Sequence, residues 1–265
     1  MEKDSALKYE KLQKRLKEMG RLVVSFSGGV DSTFLLAVAR EVIGDQVTAV
    51  TAAGRSVPEW EIEEAREFCR EKGIRHIVFS FDELEVDGFA DNPPDRCYHC
   101  KTAILQKVRE AAEQVDTVYI AEGSNVDDDG DYRPGKRAVQ EAGVISPLKE
   151  AEIRQLSKEM GLATWDKPSF ACLASRFAYE EPITAEKLRM VELAEKFLRD
   201  HGFSQYRVRM HGSMARVEVL PEDLERFLDP KLRQDFTGHM KDLGFTYTAL
   251  DLDGYRTGSM NDALK

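Results

Sequence analysis

Ser27-Gly28-Gly29-Val30-Asp31-Ser32 decides how the chain folds. The residues before it, Leu22-Val23-Val24-Ser25-Phe26, are mostly apolar and β-branched, as in a strand buried on both faces. After it, Phe34, Leu35, Val38, Ala39 and Val42 recur at helical spacing. The stretch is therefore a strand–turn–helix corner. Adjacent glycines allow a tight turn with no Cβ to keep a ligand away. The amides and positive dipole end of the new helix point into the corner and suit an anion. Ser27, Ser32 and Thr33 add hydroxyl groups. A Walker A loop would close with Gly-Lys-Ser/Thr, and no such lysine is present; Asp31 stands there instead.

Outward from this corner the chain alternates. A helix over 5–19 feeds the first strand. Strands are expected at 46–51, 74–79 and 117–121, with helices at 58–72, 101–113 and 151–160 and a short one ending near 141. A short segment at 144–147 and polar loops at 87–95 and 122–135 complete this part. Such alternation gives an α/β fold, a parallel sheet with helices on both faces. Its ligands lie beyond the carboxyl ends of the strands, where the glycine corner sits. After Gly161 the pattern changes. A helix over 184–200, capped by Thr184, precedes a hairpin of 207–211 and 214–219 turning at Gly212-Ser213. Helical stretches at 221–228 and 231–243 and a strand at 246–250 follow. The expected division is a first domain over 1–177 and a small α+β domain over 178–265.

The composition narrows the function classes. The chain has 265 residues, 42% hydrophobic and 32% charged, which is material for a sizeable core. A net charge of −10 disfavours a large nucleic acid as partner. No apolar run approaches the roughly 20 residues that span a bilayer. Four cysteines and no visible secretory signal lead us to expect a reducing cytoplasm and ligand or catalytic roles for thiols.

Two further constellations carry chemistry. In the hairpin, the turn sets His211 against Met214, Arg209 against Arg216 and Arg207 against Glu218. The three arginines and Glu218 share one face. Arginines directly opposite each other are unfavourable unless something negative covers them, and a phosphate suits their planar forks. A solvated outer face is the alternative. Cys97-Tyr98-His99-Cys100 is a C-x-x-C, and Cys172 is a distant third thiol in Lys167-Pro-Ser-Phe-Ala-Cys-Leu-Ala-Ser-Arg176. A redox pair, a zinc site with His99, an iron–sulfur site and thiols without metal are all readings of this set. Cys69, beside Phe68, reads as a small buried apolar residue. Asp127-Asp-Asp-Gly-Asp131 lacks the spacing of a calcium loop; a weak role near Mg²⁺ is its other reading.

The glycine corner resembles that of the PP-loop ATP pyrophosphatases, which split ATP between its α and β phosphates. Together with Asp95-Arg-Cys-Tyr-His-Cys-Lys101, the Lys167–Arg176 stretch and Tyr206-Arg-Val-Arg-Met-His211, it resembles the LarE family along the whole chain. These are ATP-dependent sulfur transferases of nickel-pincer nucleotide cofactor synthesis. The resemblance implies a PP-loop Rossmann-like domain plus a small C-terminal domain, in a homo-oligomer such as a hexamer. It implies that ATP and Mg²⁺ adenylate a carboxylate of pyridinium-3,5-biscarboxylic acid mononucleotide, and that sulfur then replaces AMP. Ser27, Gly28, Gly29, Val30, Asp31 and Ser32 would hold ATP, with Asp31 and Cys172 catalytic. Arg207 and Arg209, with Arg216 and Arg176, would bind substrate. Cys97, Cys100 and Cys172 would carry a [4Fe–4S] cluster fed by a sulfide donor; the alternative is Cys172 as a sacrificed sulfur source. A PP-loop tRNA thiolase and a nucleotide-binding regulator without turnover are the other classes.

Overall fold

The computed structural model describes residues 3–123, 134–141, 150–168 and 170–256. The acidic stretch 127–131 and the segment 144–147 lie outside them. The chain forms two compact units, residues 1–86 with 95–170, and residues 87–94 with 171–265.

In the first unit, helix α1 (Lys3–Met19) leads into β1 (Leu22–Ser25), and α2 (Val30–Ile43) leaves the glycine corner. Then follow β2 (Val47–Gly54), α3 (Glu59–Glu71), β3 (Arg75–Phe81), α4 (Arg96–Gln114), β4 (Ile120–Glu122), α5 (Pro134–Glu141) and α6 (Glu150–Glu159). The strands form a parallel sheet in the order β3-β2-β1-β4. Alternation along β1 divides its side chains between the two faces. Leu22 and Val24 join Phe34, Leu36 and Val38 of α2, Leu12 and Leu16 of α1, and Ile153 and Leu156 of α6. Val23 and Val50 face Val108, Ala111 and Ala112 of α4 and Val115 just after it. The expected α/β sheet with helices on both faces is what the chain forms.

The strand order reverses beside β1. From β1 the chain steps to β2 and β3 on one side, and β4 is on the other. The corner after β1 therefore opens at a topological switch point, where such sheets take their ligands.

The helix carrying the C-x-x-C differs from expectation. It begins at Arg96, not near Lys101. Cys97 and Cys100 thus lie within its first two turns rather than before it. A spacing of three residues puts them on one helical face.

In the second unit, a 3₁₀ turn at Leu173–Arg176 precedes α7 (Ala185–Asp200), and the hairpin of β5 (Tyr206–His211) and β6 (Met214–Val219) follows. A 3₁₀ stretch at Pro221–Leu228, α8 (Pro230–Asp242) and β7 (Tyr247–Leu250) complete it. The Thr184 side chain caps α7 by accepting from Lys187 N. Hairpin pairing is as alternation requires: His211 with Met214, Arg209 with Arg216, Arg207 with Glu218. Gly212 turns with φ +58°, in the region that favours glycine. Residues 87–94, expected as a loop of the first domain, bond within this unit. Ile183 N donates to Ala90 O at 2.8 Å, and Asn92 Nδ2 to Ala178 O at 2.6 Å.

Candidate active site

The glycine corner is built from backbone. Gly28 has φ +73°, and Gly29 caps α2 in an extended conformation with no side-chain cap. The first turn of a 14-residue helix thus presents amides and the positive dipole end to whatever enters. Ser27 Oγ and Ser32 Oγ lie 3.0 Å apart, and Ser32 Oγ donates to Gly29 O at 3.2 Å. These bonds hold the turn in shape. Asp31 sits in the first helical turn, where its charge is favoured by the dipole.

Three supports of this corner escape sequence reasoning. The first is Gly123, just past β4. A Cβ there would lie 2.3 Å from Ser32 N and 2.7 Å from the Asp31 carbonyl carbon, so the end of β4 rests directly on the start of α2. The second is a relay behind the loop. Thr51 Oγ1 donates to Phe26 O at 2.7 Å and lies 2.8 Å from His76 Nε2, so His76 donates in turn. Burial, and secondarily Arg66, lowers His76 to about 4, which keeps it neutral for this role. The third is Lys167, whose Nζ donates to Gly28 O at 3.1 Å and to Glu64 Oε2 at 3.0 Å. Spacing could not reveal it, since 139 residues separate it from Gly28.

At the end of β2, a fully buried carboxylate shapes the rim. Glu83 accepts from Arg55 N at 2.9 Å, from Ser56 N at 3.2 Å and from Ser56 Oγ at 2.6 Å. Gly54 is needed here, because a Cβ would fall 2.0 Å from Glu83 Oε1. On the neighbouring side, Lys101 of α4 pairs with Glu122 of β4.

In the second unit, the arginine face is not a solvated surface. Arg207 and Arg209 are buried and Glu218 is wholly so. Arg209 Nε and Nη2 donate to Glu218 Oε2 at 3.2 and 2.9 Å, and Arg216 Nη2 donates to Oε1 at 3.0 Å. Glu218 is thus the negative group that lets Arg209 and Arg216 stand opposite each other. Arg216 also reaches Asp251 at 3.1 Å. Arg207 Nη1 donates to Tyr206 O at 2.6 Å, and its guanidinium lies 5.0 Å from the Tyr255 ring. Burial, then the charge of Arg176, pulls Arg207 down to about 10.

Arg176 is engaged within its own unit. It is 1% exposed and forks onto Glu195 of α7, with both N–O distances 2.8 Å. Its Nη1 donates to Ala171 O at 2.7 Å and Cys172 O at 3.3 Å. Glu195 also accepts from Val208 N at 2.9 Å. Arg176 therefore ties the backbone of the Cys172 turn to α7 and β5. Cys172 itself is exposed at the head of that turn.

Cys97 and Cys100 are half-buried. Cys69 is buried and its thiol is pushed up to about 12 by burial, as a packing residue should be. Among the described residues, no three His, Cys, Asp or Glu side chains come together as a metal-ligand group. No described helix is long and apolar enough to cross a membrane.

Comparison with known proteins accords with this geometry. The pyridinium-3,5-bisthiocarboxylic acid mononucleotide synthase of Lactiplantibacillus plantarum is 38% identical over 269 residues, covering 98% of this chain and 95% of that protein. The chain belongs to that family, LarE. An uncharacterised protein of Synechocystis sp. is also 38% identical, over 262 residues that cover 97% of this chain and 98% of its own. The family described as queuosine biosynthesis protein QueC matches residues 21–118, which run from β1 to just before β4. A more distant similarity is to the glutamine-hydrolysing GMP synthase of Aeropyrum pernix, 26% identical over 210 residues, 69% of this chain and 40% of that protein. The two 38% identical relatives span both units, whereas the QueC match is confined to the first.

Proposed function

We propose that this LarE chain is an ATP-dependent sulfur transferase acting on a carboxylate of pyridinium-3,5-biscarboxylic acid mononucleotide. The observation that carries the ATP half is the uncapped start of α2 at a topological switch point, with glycines where a backbone approaches an anion. ATP enters as its Mg²⁺ complex. A substrate carboxylate oxygen attacks the α phosphorus, the bond to the bridging oxygen breaks, and pyrophosphate leaves. The α2 amides stabilise that leaving group, and the product is an acyl-adenylate. A carboxylate is a poor acyl donor and the mixed anhydride a good one, so a thiolate or sulfide then displaces AMP from the acyl carbon.

The relative's name supplies the substrate class, and the second unit supplies a reason to accept it. Arg207, Arg209 and Arg216 share one face of the hairpin with Glu218. A phosphate monoester suits the planar forks of arginines gathered on one face. Arg207 and Arg209 would contact it, while Arg176 holds the Cys172 turn.

Cys172 is the sulfur position in this reading because it is exposed on a fixed turn. In the sacrificial route its Sγ takes the acyl group, a base removes Hα, and Cβ–Sγ cleavage releases the thiocarboxylate and leaves dehydroalanine. A [4Fe–4S] cluster on Cys97, Cys100 and Cys172 is the finer form of the proposal. Its support is that thiolates are the donors such clusters take and that Cys97 and Cys100 lie one turn apart. A cluster would supply an extra sulfide in place of Sγ. The steps above use the protein's own atoms. A cytoplasmic homo-oligomer, tested by light scattering, completes the proposal.

The test is pyrophosphate release in anaerobic protein with and without the mononucleotide, followed by the mass of Cys172. Release that needs the mononucleotide supports the function. ADP and orthophosphate, or dependence on tRNA instead, would overturn it. Loss of the mass of H₂S at Cys172 after one turnover selects the sacrificial route. Intact Cys172 in iron- and sulfide-containing protein through many turnovers selects the cluster.

A further inference from the structure

The glycine corner lacks the lysine that ends a Walker loop, yet a lysine reaches it from elsewhere. Lys167 Nζ lies 3.1 Å from the carbonyl oxygen of Gly28, and its side chain is only 14% exposed. The residue is fixed from three sides. Lys167 N donates to Thr164 O at 3.0 Å. Arg154 of α6 donates to Trp165 O at 3.1 Å and to Lys167 O at 3.0 Å, pinning the backbone on both sides of Asp166. Trp60 of α3 lies under the ammonium, with Nζ 5.5 Å from the ring centre. Trp60 itself packs edge-on against Phe170 at 5.5 Å.

The counter-charge is the informative part. Glu64 is one helical turn beyond Trp60 and meets Nζ at 3.0 Å, but its side chain is 52% exposed. An ion pair with one solvated partner is weak and easily exchanged. An ammonium has three donors; Gly28 and Glu64 take two. A cation held at the backbone of an anion-binding turn, against an exchangeable carboxylate, is placed to bind what the turn binds.

We propose that Lys167 is a phosphate-binding residue of the nucleotide site, performing from a distant loop the task of the missing Walker lysine. When ATP enters the corner, the ammonium leaves Glu64 for an oxygen of the departing β,γ-pyrophosphate and takes up negative charge as the α–β bond breaks. This inference rests on the ATP reading of the corner but not on the identity of the acyl substrate.

The test is calorimetric titration of the full-length protein with a non-hydrolysable α,β-methylene ATP, with inorganic pyrophosphate and with AMP. Wild-type protein that binds none of them would remove the ATP reading itself. Given wild-type binding, Lys167→Gln should weaken the ATP analogue and pyrophosphate by about 10- to 100-fold. AMP affinity should be unchanged, and Lys167→Arg should recover most of the loss. Glu64→Gln removes the same ion pair and should bind the analogue as tightly as wild type or more so. A purely structural lysine gives another pattern: Glu64→Gln weakens binding as Lys167→Gln does, or AMP falls with ATP, and either result overturns the proposal. If Lys167→Gln does not fold, weaker binding by Glu64→Gln alone overturns it.

Discussion

In the first unit the anion-facing corner is made of main chain: amides at the head of α2, a glycine at φ +73°, and Gly123 pressed against Ser32. In the second unit the arginine face is made of side chains, and its charges are already largely neutralised by Glu218 and Glu195. A backbone site needs no counter-charge when empty, because peptide dipoles carry no net charge. A site of buried guanidinium groups cannot exist without carboxylates, since unpaired buried ions cost several kcal/mol each. The two regions should therefore fail differently. Damage to the corner should remove function and spare the fold, whereas damage to the arginine face should remove the fold first.

The largest expected effect is on the arginine side. Glu218→Ala removes the carboxylate between buried Arg209 and half-buried Arg216, beside buried Arg207, and should cost about 3–5 kcal/mol in chemical denaturation. Glu218→Gln keeps the shape and should cost less. A stable Glu218→Ala protein would mean that the face is solvated after all. Next is the corner. Gly123→Ala places a methyl group in the backbone of Ser32 and shifts the start of α2. Pyrophosphate release should fall on the order of 100-fold, as it does when reacting groups are misplaced by about 1 Å. The unfolding midpoint should move less than in Glu218→Ala. The reverse ranking of the two variants would break the comparison.

Much of this contrast is legible in sequence, and the reasons differ by region. The corner announces itself because strand, glycines, acid and helix are contiguous. The hairpin register follows from Gly212-Ser213 and period-two alternation, down to the Arg209–Arg216 pair. What stays hidden is tertiary. Whether the arginine face is covered cannot be read from alternation, which fixes a face and not what covers it. The partner of Arg176, Glu195, is 19 residues away on another helix and is not apparent from spacing. Lys167 and Gly123 matter only through contacts of long sequence separation. The start of α4 is hard to place because Asp95 provides no side-chain cap to mark it.

The smallest expected effect concerns the relay behind the corner. His76 titrates at about 4 in the folded protein against 6.5 when exposed. Between those values the unfolded chain binds a proton that the folded one does not. Stability should therefore fall as pH drops from about 6.5, levelling near 4. Trp60 and Trp165 both belong to the first unit, so tryptophan fluorescence reports its unfolding. His76→Gln should flatten the slope over that window; an unchanged slope would remove His76 from the account.

The central claim is that the corner serves to join AMP to a carboxylate. It is tested most directly by supplying the pyridinium mononucleotide with oxygen-18 in its carboxylates and analysing AMP after turnover. The account predicts one labelled oxygen in the AMP phosphate, because the attacking carboxylate oxygen leaves with AMP when sulfur displaces it. AMP without label, or label in pyrophosphate or orthophosphate, would contradict it.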